Sequence, residues 1–274
     1  MSLPNQTNPK QQEAITAVQG PVMVVAGPGS GKTRVLTFRI AHLIRIGVPA
    51  YQILALTFTN KAASEMRARI VGLVGEKSGQ LWMGTFHSVF ARLLRRECDK
   101  IGYEKNFTIY DSLDSLALIR AIMNDLGIPT QQYNPQAIRS RISAAKNQLV
   151  TPEEYARSAI DIFEEKSATV FAEYQRRLRR NNAMDFDDLL LNPIELFRRH
   201  PAVLEAYQDR FRFILIDEYQ DTNRAQYVLI KLLADRYRNI CVVGDDAQSI
   251  YAFRGADIRN ILDFQRDYAD ARVI

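Results

Sequence analysis

The chain has 274 residues, 47% of them hydrophobic and 24% charged, enough to bury one large core or two ordinary ones. Cys98 and Cys241 are too few for a disulfide framework or a cysteine metal quartet, and no apolar run reaches the ~18 residues of a membrane span. A globular protein of a reducing cytoplasm, without a membrane partner, is expected; the net charge of +5 permits a nucleic-acid partner without demanding one.

Asn8-Pro-Lys-Gln-Gln12 precedes a short helical stretch, and Gln11 offers the donor and acceptor needed to read an adenine edge. Val22-Met-Val-Val-Ala-Gly-Pro-Gly-Ser-Gly-Lys-Thr33 then runs an apolar strand into a glycine-rich loop. This is the relaxed phosphate-loop pattern, with Ala26 where the stricter form has Gly. The loop from Ala26 through Gly27, Pro28, Gly29, Ser30 and Gly31 is expected to cradle phosphate. Gly27, Gly29 and Gly31 would supply positive-φ turns that aim backbone N–H groups inward. Lys32 adds a point charge at the β/γ-phosphates, and the Thr33 hydroxyl is placed to ligate Mg²⁺. The helix that opens there turns its positive dipole end to the same anion.

Ile53-Leu-Ala-Leu-Thr-Phe-Thr59 reads as a second strand, and the run from Asn60 to Ile70 as a helix. Leu81-Trp-Met-Gly-Thr-Phe-His87 is a third strand-like piece, followed by a helix from Ser88 to Cys98. Strand and helix in alternation build a parallel α/β sheet, whose ligands gather at the carboxyl ends of strands. Thr57, Phe58, Thr59, Thr85, Phe86 and His87 fall there.

Between Ser112 and Met184 the periodicity is helical throughout, which predicts an all-helical subdomain inserted into the α/β domain. Leu113, Leu116, Ile119, Ile122, Met123 and Leu126 recur at helical spacing up to Gly127. Asn134-Pro135 starts another helix, and Thr151-Pro-Glu-Glu154 has a capping-box layout. A last helix ends in Arg176, Arg177, Arg179 and Arg180, read as a solvated face rather than a phosphate contact.

Strands return with Phe213-Ile-Leu-Ile-Asp-Glu218 and Asn239-Ile-Cys-Val-Val-Gly-Asp245, and Arg272-Val-Ile274 looks like one more. Asp217 is expected to hold the Mg²⁺ shell beside Thr33, and Glu218 to orient and polarise an attacking water. Gln248 would hydrogen-bond the γ-phosphate and report its presence. Cys241, inside an apolar strand, reads as a buried inert thiol.

Asp217-Glu-Tyr-Gln-Asp-Thr222, Gly244-Asp-Asp-Ala-Gln-Ser-Ile-Tyr-Ala-Phe-Arg-Gly-Ala256, Leu56-Thr-Phe-Thr-Asn-Lys-Ala-Ala63 and Gly84-Thr-Phe-His-Ser88 resemble the motifs of the UvrD/Rep/PcrA group of superfamily 1 DNA helicases. The resemblance implies a RecA-like P-loop NTPase fold and an ATP- and Mg²⁺-dependent motor moving three-prime to five-prime on single-stranded DNA. Residues 1–111 and 185–274 would then be two segments of the first RecA-like domain, and residues 112–184 its inserted helical subdomain. By matching position, Gln11 would contact adenine and Arg34 would lie near adenine or ribose. Phe58, Thr59, Asn60, Thr85, His87, Phe186 of Asp185-Phe-Asp-Asp188, Tyr251, Phe253 and Arg254 would contact DNA. Planar aromatics suit that role, since they stack on any base; core packing is the competing account for each.

Two departures stand out. Phe253 replaces the usual Trp, keeping a stacking face without the indole donor. The chain also stops before the motif expected to bring an arginine finger, so it is expected to be an amino-terminal half and a poor ATPase alone. Its partners would be single-stranded DNA, single-/double-strand junctions and a carboxy-terminal second RecA-like domain. The motor half of a RecB/AddA-type helicase–nuclease and a nucleotide-gated DNA-binding module are the alternative readings. A small-molecule kinase has no evident use for the strand-end aromatics.

Overall fold

A computed structural model describes residues 7–27, 29–245 and 259–274. They divide into two compact units, one formed by the segments Met1–Val89 and Pro201–Ile274, the other by Phe90–His200.

The first unit is built on a parallel sheet. Its strands are β1 (Val22–Val25), β2 (Ile53–Thr57), β3 (Trp82–Thr85), β6 (Phe213–Ile216), β7 (Ile240–Gly244) and β8 (Arg272–Val273), and every pairing among them is parallel. Their spatial order is β3-β2-β6-β7-β1-β8. The inner strands are continuous runs of Val, Ile and Leu because both faces of the sheet are covered. Val24, Ile53, Ala55, Leu215, Cys241 and Val243 share one core with Ile40, Leu43, Met66 and Ile70. Those four residues come from helices α2 (Lys32–Arg45) and α3 (Asn60–Val74). Leu54, Leu56, Ile214, Ile216 and Val242 alternate with the strand residues and are equally buried. The last strand, β8, has only two exposed residues, which keeps that sheet edge short.

Phe86 and His87 belong to the first turn of α4 (Phe86–Glu97), not to the preceding strand. The Thr85 hydroxyl accepts the Ser88 N–H at 3.2 Å and so starts the helix two residues before Ser88. The described first helix, α1 (Pro9–Thr16), also begins earlier than hydrophobic spacing suggests, because Asn8 and Gln11 form a capping box ahead of it. Cys98 and Cys241 are both buried and free, and burial raises both thiols above their ordinary pKa. Among the described residues no helix is long and apolar enough to cross a membrane.

The second unit is mostly helical, with α5 (Ser112–Asp125), α6 (Pro135–Asn147), α7 (Pro152–Ser158), α8 (Ile162–Arg180) and α9 (Asp188–Arg199). Ile119, Ile122, Ile138, Ile142, Val170, Phe171, Tyr174 and Leu178 fill its core. It is wider than residues 112–184 and not purely helical: β4 (Thr108–Tyr110) and β5 (Ala183–Asp185) pair in parallel across its base. Each strand has three residues, too short for periodicity to reveal. The arginines closing α8 are largely occupied inside this unit. Arg176 and Arg177 hold Glu173, Arg177 also reaches Asp125, and Arg179 donates to the Ile101 carbonyl.

A buried charge network fixes the start of α9. Lys146 Nζ lies 2.7 Å from Asp185 Oδ2 and 2.9 Å from Asp188 Oδ1, with all three residues buried. The Tyr174 hydroxyl donates to Asp185 at 3.0 Å, and Asp185 and Asp188 each accept the other's backbone N–H. Burial alone would depress the lysine; the two carboxylates reverse that and raise it. Burial raises Asp188 and the nearby charge of Asp185 adds to it, pushing it up to about 6. Asp188 thus takes a proton more readily folded than unfolded, and its ionisation opposes folding as pH rises from its ordinary 3.8 to about 6. Lys146→Met would strand both carboxylates and cost about 3–5 kcal/mol at neutral pH, read by urea unfolding. Both acids then carry the Asp188 sign, so the deficit is expected to shrink as pH falls towards 5.

Candidate nucleotide and nucleic-acid sites

The central strand order β6-β7-β1 brings three strand ends side by side, and the candidate chemistry lies on all three. The ladder continues past the strands: Ala26 N–H donates to the Gly244 carbonyl at 3.1 Å, and Asp217 N–H to Leu56 at 3.1 Å. The loop leaving β1 is thereby pinned to the end of β7.

Gly29 and Gly31 take positive φ, at 74° and 85°, as the loop requires. Gly27 does not; its carbonyl instead faces inward and accepts from Ser30 N–H at 3.3 Å and from Lys32 Nζ at 3.3 Å. Gly31 is the N-cap of α2, so the helix opens at Lys32 and its first N–H groups have no side-chain cap. They remain available to an anion.

Lys32 is buried with its ammonium fully engaged. Nζ donates to the Ala26 carbonyl at 2.9 Å, to Gly27 and to Asp245 Oδ2 at 2.7 Å. Asp245 is 0% exposed. Its part in the site is absent from the sequence reading, although a carboxylate closing a strand beside a phosphate loop repeats the logic that singles out Asp217.

Thr33 Oγ1 donates to Asp217 Oδ2 at 2.9 Å, and Asp217 Oδ1 accepts the Glu218 N–H at 3.1 Å. Burial raises the Asp217 carboxyl above its ordinary value; the Thr33 hydrogen bond opposes this, and the charge of Glu218 adds to it. A buried carboxylate beside a hydroxyl, short of positive charge, suits a divalent cation. Among the described residues no cluster of three His, Cys, Asp or Glu side chains forms a complete metal cage. Such an incomplete donor set fits Mg²⁺, which is held by one or two protein groups together with water and phosphate oxygens.

Glu218 follows in the left-handed region, at φ 49° and ψ 47°, an uncommon backbone for a non-glycine residue. That turn lifts its half-buried side chain to the rim of the strand ends. Gln220 Nε2 donates to Glu218 Oε2 at 2.8 Å. Gln11 sits over the loop, with Nε2 donating to the Ser30 carbonyl at 2.9 Å and Oε1 accepting the Asn8 N–H. Each end of that amide keeps one further hydrogen-bonding position for a base edge. Arg34, Thr37, Phe38, Arg69, Gly72 and Leu73 line an open cleft of about 320 Å³ beside α2.

The DNA-contact candidates of the first unit lie farther along the same sheet edge, on β2 and β3. Phe58 is half-buried with its ring 5.4 Å from that of buried Phe86, while Thr59 and Asn60 are exposed. Thr59 caps α3, accepting the Ala62 N–H at 3.1 Å. Thr85 and His87 are half-buried, and desolvation lowers the His87 pKa, favouring a neutral ring. In the second unit Phe186 is 49% exposed, directly between the buried Asp185 and the start of α9. Pro28, Gln248, Tyr251, Phe253 and Arg254 lie outside the described residues.

The profile of one protein family, described as the UvrD/REP helicase N-terminal domain, matches residues 7–269. The chain is 52% identical over 268 residues to the ATP-dependent DNA helicase PcrA of Staphylococcus epidermidis, covering 97% of this chain and 37% of that protein. It is 50% identical over 274 residues to the ATP-dependent DNA helicase PcrA of Staphylococcus aureus, covering 100% of this chain and 38% of that one. The chain therefore spans somewhat over a third of these relatives.

Gly31→Ala should test the loop geometry. The new Cβ would sit 3.4 Å from Gln11 Nε2 on a φ of 85°. A loss of roughly 1–2 kcal/mol in urea unfolding is expected from the backbone alone. Weaker binding of Mg²⁺-nucleotide, read by fluorescence titration, should accompany it.

Proposed function

Because the chain belongs to the UvrD/REP helicase N-terminal domain family, we propose that it is the ATP- and single-stranded-DNA-binding part of a three-prime to five-prime DNA motor. The observation that carries this reading is the meeting of Lys32, Thr33, Asp217 and Glu218 at the ends of the three side-by-side strands β6, β7 and β1. Lys32 would exchange Asp245 for the β/γ-phosphates. Thr33 and Asp217 would hold Mg²⁺, which supplies charge neutralisation between phosphate oxygens when bound. Glu218 would orient the attacking water, and Gln248 would sense the γ-phosphate. Gln11 and the Arg34 cleft would receive the base and ribose. Single-stranded DNA and junctions would contact Phe58, Thr59, Asn60, Thr85 and His87, with Tyr251, Phe253 and Arg254 contributing; Phe186 of the second unit is a separate DNA-contact candidate. β2, which Phe58 and Thr59 follow, neighbours β6, which Glu218 follows, and this adjacency supports the reading. A second RecA-like domain in the same protein would complete the ATP site with arginine.

The deciding measurement is phosphate release from ATP by residues 1–274, with and without single-stranded DNA, beside Lys32→Ala. Nucleotide binding that disappears in Lys32→Ala, with turnover slow for want of the second domain's arginine, is the expected result; such arginines contribute about a thousandfold or more. Absence of nucleotide binding by the unaltered chain would remove the reading. Phe186→Ala tests the DNA surface separately. It should weaken oligo-dT binding by roughly 1–3 kcal/mol, the value of one base–aromatic stack, measured on protein whose folding is checked by urea unfolding.

A further inference from the structure

Within Asp217-Glu-Tyr-Gln-Asp-Thr222 the first two residues have roles in the reading above and Gln220 has none. The structure nevertheless gives Gln220 a defined place. After β6 the chain turns through left-handed Glu218 into a short 3₁₀ turn, Tyr219–Asp221. That turn carries the Gln220 side chain back towards the end of β7, where it is 2% exposed. Its two amide ends take different partners. Nε2 donates to Glu218 Oε2 at 2.8 Å, and Oε1 accepts the Asp245 N–H at 3.1 Å. A Cβ on Gly244 would stand 3.1 Å from Oε1, so glycine there leaves the amide its room. Asp245 in turn pairs with Lys32 through its carboxylate.

We propose that Gln220 is a positioning residue for ATP hydrolysis, fixing the Glu218 carboxylate by anchoring it to the strand that also holds the phosphate-loop lysine. This rests on the functional reading above. The chemistry favours an amide in this place. A neutral N–H donor orients one carboxylate oxygen without taking a proton from the attacking water, and it leaves the other oxygen to accept from that water. A carboxylate on a left-handed turn, half open to solvent, would otherwise sample several rotamers. Because the amide is buried and engaged at both ends, its own orientation is held. The anchor is the Asp245 backbone, so the carboxylate's position is referred to the strand end against which Lys32 rests.

The test uses the full-length protein that carries residues 1–274, with four forms: unaltered, Gln220→Met, Glu218→Gln and the double variant. Methionine keeps length and burial but makes neither hydrogen bond. DNA-stimulated kcat and the Kd for Mg²⁺-ADP are measured in each. The expected result is a kcat loss of about tenfold to a hundredfold in Gln220→Met, the scale of a misplaced reacting group. The Kd should stay within about twofold, and kcat should fall no further when Gln220→Met is added to Glu218→Gln. Gly244→Ala, which presses on Oε1 while leaving Gln220 intact, should show the same pattern in milder form and serves if the methionine variant does not fold. Equal fractional losses in both Glu218 backgrounds, or a Kd that worsens along with kcat, would overturn the proposal and leave Gln220 a packing residue. Hydrolysis by the unaltered protein that persists in Lys32→Ala would instead overturn the functional reading on which it stands.

Discussion

The ion pair between Lys32 and Asp245 sets the terms for the rest of the site. Both side chains are nearly sealed, at 8% and 0% exposure, and 2.7 Å apart. A buried pair of this kind adds little net stability, since desolvating two charges roughly offsets their attraction. Its consequence here is geometric. The ammonium has three donors, and Ala26, Gly27 and Asp245 take all of them. The loop is thus folded around its own lysine. In the proposed function a phosphate would not need to organise the loop; it would only replace the Asp245 carboxylate already paired with the lysine. Such an exchange would be charge for charge, so the lysine would not be left bare in a low-dielectric setting.

The same logic accounts for the neighbouring carboxylate. Asp217 is buried without a comparable cation, and its raised pKa records that deficit. The Thr33 hydroxyl supplies a hydrogen bond but no charge. Two carboxylates at adjacent strand ends, one ion-paired with lysine and one not, give the site two electrostatically different halves. The parallel sheet makes this possible, because β6, β7 and β1 are side by side although β1 ends at Val25 and β7 begins at Ile240.

Much of this was legible in the sequence because buried parallel strands are uninterrupted apolar runs, and the chemistry begins where each run stops. Val22–Val25 stops at the phosphate loop, Phe213–Ile216 at Asp217, and Ile240–Gly244 at Asp245. What stayed hidden is pairing between distant residues. Neither the Lys32–Asp245 contact nor the bridge from Gln220 to the Asp245 N–H follows from spacing. Each depends on which strands are neighbours. Gly27 was expected to share the positive φ of Gly29 and Gly31, yet its carbonyl is used as an acceptor instead. The β4–β5 pair escaped detection because three residues carry too little alternation.

Asp185-Phe-Asp-Asp188 shows why acidic motifs need their partners before they can be assigned. The sequence singles out Phe186 in this motif and assigns its three carboxylates no partner. In the fold, Asp185 and Asp188 neutralise Lys146 and cap each other's backbone, and Asp187 accepts from Asn147 at 2.9 Å. Every charge is directed inward. Phe186 is the most exposed of the four, at 49%. A buried electrostatic network is an expensive way to make a turn when a hydrophobic core would be cheaper. It does, however, fix backbone direction through directional hydrogen bonds at the turn before α9. The buried charges of the second unit therefore fix the turn that carries one exposed aromatic ring, as those of the first hold one lysine.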